Sequence, residues 1–163
     1  MPRRRTELLT DDLYRRLGGD NVGSHAGKAI VLCTVDEHGW PHPAILSYFE
    51  VAAPDCHNLR LAVYTNSRTC ANMRERGKAT LIIVDVGLVC YIRGTVTQLA
   101  PEMREAPYNA KLNLRVEQVV FDEPPPDLEP GVGVTSGITY SPRTPDAQTR
   151  ARAGRAELLE KQE

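Results

Sequence analysis

Thr65, Ser67, Arg68 and Thr69 place three hydroxyls and a guanidinium within five consecutive residues, inside the stretch VYTNSRTCANMRERGKATLII from Val63 to Ile83. The chemistry such a group offers is anion binding, provided the backbone presents it at one point. The flanking residues supply that point. Leu59 to Val63 is an apolar β run, Ser67 stands where a helix N-cap belongs, and Gly77 follows a basic last turn. Ser is a preferred N-cap and Gly a common helix stop, so a helix from Ser67 to about Arg76 is expected, followed by a second β run from Ala79 to Val84. A helix start carries unpaired N–H groups and a partial positive charge, and phosphate groups bind there. A capping box would put Glu or Gln three residues after Ser67, and Cys70 occupies that position. Two readings stand at this level: a phosphate seat, or an ordinary capped helix with Arg68 in solvent.

Other constellations offer less. Ser47, Ser67 and Ser141 lack a G-x-S-x-G context, and no phosphate-binding glycine loop of the P-loop or dinucleotide type is present. The four cysteines (Cys33, Cys56, Cys70, Cys90) form no CxxC pair, and the four histidines are scattered, so no metal site is expected. The cysteines read as small hydrophobes in a reducing compartment. No catalytic side chain is assignable; if the protein is an enzyme, a bound cofactor carries the chemistry. Tyr91 and Arg93 share one strand face opposite Cys90 and Ile92, a face open to a ligand, a partner or water. Trp40, the only tryptophan, is expected to pack at a hairpin.

The elements that must position these residues follow from patterning. The 163 residues suit one domain, and a formal net charge of -1 implies no nucleic-acid surface. No apolar run approaches the ~18 residues of a membrane helix, and the Arg-rich start lacks an apolar signal core, so a cytoplasmic protein is expected. Thr10 caps a short helix that ends at Gly18-Gly19. Ala29 to Val35 and Trp40 to Val51 read as a hairpin around Asp36-Glu37-His38-Gly39. Leu59 to Thr65 is a third strand. Ala79 to Asp85 and Leu88 to Leu99 form another hairpin. Pro101 opens a short helix to about Leu112, Leu114 to Phe121 is a strand, and Val132 to Tyr140 a last one. Beyond Ser141 lies a polar tail, helical or disordered. Six or seven antiparallel strands with few helices make the fold mainly β, a small barrel or meander. The expected organisation is a lead-in over 1–28, a barrel domain over 29–141 and a tail over 142–163.

Taken in order, AIVLCTVDEHGWPHPAILS and LRLAVYTNSRTCANMRERGKATLII resemble the FMN-binding split barrels related to pyridoxamine 5'-phosphate oxidase. The ordered features are the Asp-Glu-x-Gly turn, the Pro-x-Pro strand, Tyr-Thr-x-Ser and the Asn-Met pair. The resemblance covers roughly residues 29–100 and extends weakly through LRVEQVVFDEP and TSGITY. It implies an antiparallel split β-barrel and a homodimer with FMN at the subunit interface, acting on a small-molecule substrate. By position, Ala44, Ile45, Leu46 and Ser47 would line the flavin ring. Tyr64 and Thr65 would lie near the ribityl chain and phosphate. Ser67, Arg68 and Thr69 would hold the phosphate, and Asn72 and Met73 would pack the site. Many members carry Lys where this chain has Thr69, and the oxidase proper carries Arg where this chain has Ala44. The resemblance therefore implies a related flavin activity rather than the vitamin-forming oxidation itself. The same fold also admits a non-catalytic flavin or haem carrier, or a reductase using a deazaflavin coenzyme.

Overall fold

Residues 4–162 are described by a computed structural model. The elements in chain order are β1 (Arg4–Thr6), α1 (Asp11–Gly18), a 3-10 turn (Val22–His25), β2 (Ala29–Val35), β3 (Pro41–Ser47), β4 (Val51–Ala52) and β5 (Asn58–Tyr64). They continue with α2 (Arg68–Arg76), β6 (Lys78–Asp85), β7 (Leu88–Ala100), β8 (Asn109–Phe121) and α3 (Pro145–Leu158). All strand pairs are antiparallel, in the order β3-β2-β6-β7-β8-β5-β4, with β1 added on β8. β3 and β4 lie at opposite ends of this order, yet only Tyr48, Phe49 and Glu50 join them. The sheet must therefore curl, and it forms a half-barrel of the split-barrel type.

Alternation decides what the curl encloses. Ile30 and Leu32 on β2, Leu59 and Leu61 on β5, Leu81 and Ile83 on β6 and Cys90 and Ile92 on β7 point inward and are buried. On β8 the inward set changes phase. Val119 and Phe121 are inward, and then Val116, Leu114, Leu112 and Ala110. The ladder explains this: Arg93 pairs Gln118 and the next residue, Gly94, pairs Val116, so Glu117 is the extra residue of a β-bulge. A Cβ on Gly94 would lie 2.1 Å from the Arg115 carbonyl oxygen, so the crossing admits only glycine.

Several expectations need correction. The expected Trp40 to Val51 strand is broken at Tyr48–Glu50, because the Ser47 N–H and hydroxyl both donate to Glu50 Oε1 and fold the chain back. The expected helix after Pro101 is absent. Asn109 to Leu112 instead pairs with Leu61 to Tyr64 and buries Ala110 and Leu112, and Pro107 offers no N–H to a helix ladder. Val132 to Tyr140 forms a single bridge, Lys28 with Thr139, rather than a strand. The tail is a helix, α3, capped by Thr144 with Pro145 in its first turn. Trp40 is 69% exposed at the hairpin tip rather than packed. No helix among the described residues is long and apolar enough to cross a membrane.

Candidate functional site

Ser67 caps α2 with both capacities of its hydroxyl. Oγ donates to the Tyr64 carbonyl at 2.7 Å and accepts from the Cys70 N–H at 3.0 Å. Gly77, at φ 68°, closes the other end. The Ala71 N–H finds the Ser67 carbonyl. The N–H groups of Arg68 and Thr69 have no partner among the described residues. No acid stands in this first turn, whereas α1 carries Asp11 and Asp12 there and α3 carries Asp146. Arg68 is exposed and makes no hydrogen bond or ion pair among the described residues. The positive end of α2 is thus left for something else to neutralise.

Thr65 is held by a side chain two turns along the helix. Arg74 donates to its carbonyl and to its hydroxyl, both at 2.8 Å, and also reaches Gln98. Sequence reasoning passed over Arg74. The available signal was its spacing: seven residues after Ser67, two helical turns on, it shares the Ser67 face. Thr69 and Met73 are buried, Met73 within the core and Thr69 at 3% exposure, so the Thr69 side chain is not presented at the surface.

Asn72 ties the helix to the first hairpin. Its Nδ2 donates to Thr34 Oγ1 at 3.0 Å and its Oδ1 accepts from Arg76 at 2.8 Å, while Thr34 donates on to the His42 carbonyl. Arg76 also donates to the Val35 carbonyl at 2.7 Å. Asn72 and Thr34 are both 1% exposed, so this relay is dry and saturated. It locks α2 against β2 and the start of β3. Among the described residues β3 pairs with β2 alone, so its outer edge keeps unpaired backbone groups. Along that strand Ala44 is half-buried, Ile45 exposed and Leu46 in the core. The Ser47 side chain is spent on the turn, where it also accepts from the Phe49 N–H and from Arg143. The outer face of the hairpin is wholly apolar: Val31, Cys33 and Val35 lie opposite Ile45, Pro43 and Pro41.

A second polar centre lies at Asp85. Its carboxylate accepts from Lys28 at 2.7 Å, Arg16 at 2.8 Å and the Val86 N–H at 2.8 Å. Arg16 also reaches the Tyr48 hydroxyl, on which His25 stacks. Burial alone would raise the Asp85 carboxyl, but these hydrogen bonds hold it well below the usual carboxylate range. Burial raises Tyr48 and lowers His25, which keeps both neutral at pH 7. Among the described residues no cluster of His, Cys, Asp and Glu is arranged to hold a metal ion.

Residues 25–130 match the family described as pyridoxamine 5'-phosphate oxidase. The chain is 29% identical over 143 residues to the uncharacterized protein YclD of Bacillus subtilis (strain 168), across 87% of this chain and 89% of that protein. Among solved structures, a protein from Lactobacillus delbrueckii assigned as a pyridoxamine 5'-phosphate oxidase superposes with a TM-score of 0.57 at 20% identity, covering 73% of this chain and 98% of that one. HupZ of Group A Streptococcus superposes at 0.54 with 15% identity, covering 82% and 100%. An FMN-binding protein from Syntrophomonas wolfei superposes at 0.53 with 14% identity, covering 69% and 85%. At these identities the superpositions establish a shared fold.

Proposed function

The chain belongs to the pyridoxamine 5'-phosphate oxidase family, and from that premise we propose that it is an FMN-binding oxidoreductase working as a homodimer on a small-molecule substrate. The observation that carries the reading is the unneutralised start of α2, with two free N–H groups and an unpaired Arg68. These groups fit a phosphate monoester. Arg68 takes the charge that Lys supplies in many relatives, since Thr69 is buried. Arg74 holds the Thr65 turn in place beside it. The open backbone edge of β3 fits a flat ring that needs N–H and C=O partners along Ala44 to Leu46, whereas Ser47, expected beside the ring, spends its N–H on Glu50 Oε1 and its carbonyl on the Glu50 N–H. The apolar outer face of the hairpin fits a second subunit that would exclude water from such a ring. Bound FMN would supply the two-electron redox chemistry. The protein's part is to hold the phosphate, orient the ring and keep the surroundings dry. Four free cysteines support a cytoplasmic setting.

The test is to purify the protein without added cofactor, record its visible spectrum and identify the small molecule released on denaturation. FMN near one per chain, in a dimer by light scattering, supports the reading. A protein that neither carries nor binds FMN overturns it. Release of a deazaflavin would keep the fold's logic and change the coenzyme. Flavin that no reduced nicotinamide or substrate turns over would make the protein a carrier.

A further inference from the structure

A cavity of about 190 Å3 lies between α3 and the outer face of β5. Its wall joins two clusters: Ala62, Met103 and Ala106 belong to a small second cluster with Ala52 and Leu158, and Phe49 belongs to the barrel core. The helix makes the space. Ala147, Ala151 and Gly154 face it at one-turn spacing, and a Cβ on Gly154 would meet nothing within 4 Å. Larger residues at these positions would fill the space between α3 and the sheet.

Two further features give the cavity a chemical character. Tyr64 and Tyr108 flank the cavity with ring centroids 6.0 Å apart and tilted by 53°, and both stay more than half exposed. The charges are unequal. Glu50 is matched by Arg143 at 3.6 Å, and Arg143 also donates to Tyr140 and Ser47. Arg150, in the same wall, is exposed with no partner among the described residues. One cation is therefore left over.

We propose that this cavity is a binding site for a single-ring aromatic carboxylate. The carboxylate meets Arg150, and the ring packs against Tyr64 and Tyr108. Size suits one ring: a cavity of roughly 150 Å3 accommodates benzene, so this space seats a substituted ring. Tyr64 also borders the flavin site proposed above, but the titration uses no flavin, so its failure leaves the cofactor reading untouched.

The probe is 4-hydroxybenzoate, titrated calorimetrically into the purified full chain, with phenol as the uncharged comparison. Saturable binding near one per chain is expected. Ala151→Leu, which fills the cavity, should weaken it at least tenfold. Arg150→Gln, at an exposed position that leaves the fold intact, should weaken 4-hydroxybenzoate severalfold and leave phenol unchanged. Absence of saturable binding to the unaltered chain overturns the proposal, the cavity then holding water alone. Unchanged affinity in a folded Ala151→Leu variant overturns the location, and unchanged affinity in Arg150→Gln overturns the carboxylate.

Discussion

Asp85 and the start of α2 are both places where cations gather, and they treat those cations in opposite ways. At Asp85 one carboxylate, 8% exposed, takes Arg16, Lys28 and a backbone N–H, so each charged group there has a partner within the chain. At α2 the helix end is capped by a neutral hydroxyl, the first turn holds no acid, and Arg68 is unanswered. Folding is served by the first arrangement, because a buried polar cluster stabilises only when complete. The second contributes nothing to folding that a plain cap would not, and it leaves a positive end facing outward. Completeness marks the structural centre and incompleteness the one available to a ligand.

Breaking the complete centre should have the largest effect. Asp85→Ala leaves Arg16 and Lys28 unpaired and is expected to cost about 2–4 kcal/mol, toward the low side for a buried ion pair because both cations keep some solvent. Thermal melting should fall on the order of 10 °C, while FMN affinity of the folded fraction is unchanged. A variant that melts normally would show that the cluster is ornamental. Its acid dependence sharpens the point. The Asp85 carboxyl is depressed in the folded state, so its contribution is present above the unfolded value of about 4 and is lost as pH falls below it. Urea midpoints of the native chain should therefore drop more steeply below pH 4 than those of Asp85→Ala, and the two profiles should converge.

The incomplete centre should respond in the other quantity. Arg68→Ala is expected to weaken FMN binding by roughly 1.5–3 kcal/mol, on the order of 10- to 150-fold, by flavin fluorescence titration, with no change in melting. A stability loss with intact affinity would reverse the comparison. Asn72→Ala lies between the two. It opens the relay through Thr34 and Arg76 and should cost about 1–3 kcal/mol in urea unfolding, with a smaller loss of FMN affinity as α2 loosens from β3. Ser67→Ala should have the smallest effect, about 1 kcal/mol of stability for the lost cap. Its effect on FMN affinity should be less than that of Arg68→Ala.

What the sequence disclosed was local. The Ser67 cap, the Gly77 stop, the Asp36 to Gly39 turn and the inward Cys90 and Ile92 all depend on neighbours a few residues away, and all are where their patterns place them. What it concealed was pairing at a distance. Arg4 to Thr6 looks like a charged end, and it becomes a strand only because β8 offers an edge. Asn109 to Leu112 reads as the end of a helix opened by Pro101, and β5 claims it as strand. The site shows the same division. The free N–H groups of α2 follow from its cap, whereas Arg74 on Thr65, the Asn72 relay and the cavity under α3 need the folded chain.

The extra residue at Glu117 carries a consequence for how this gene can change. Deleting one codon in a loop such as 125–131 would shorten a connection. Deleting the codon for Glu117 would erase a phase correction. With β7 holding one half of β8 in register, the other half would have to choose between its hydrogen bonds and its side chains. Either Val119 and Phe121 or Val116, Leu114 and Leu112 would then face water. The bulge is a spatial frameshift, and lineages of this chain should keep the interval between Leu114 and Val119 free of single-residue gaps.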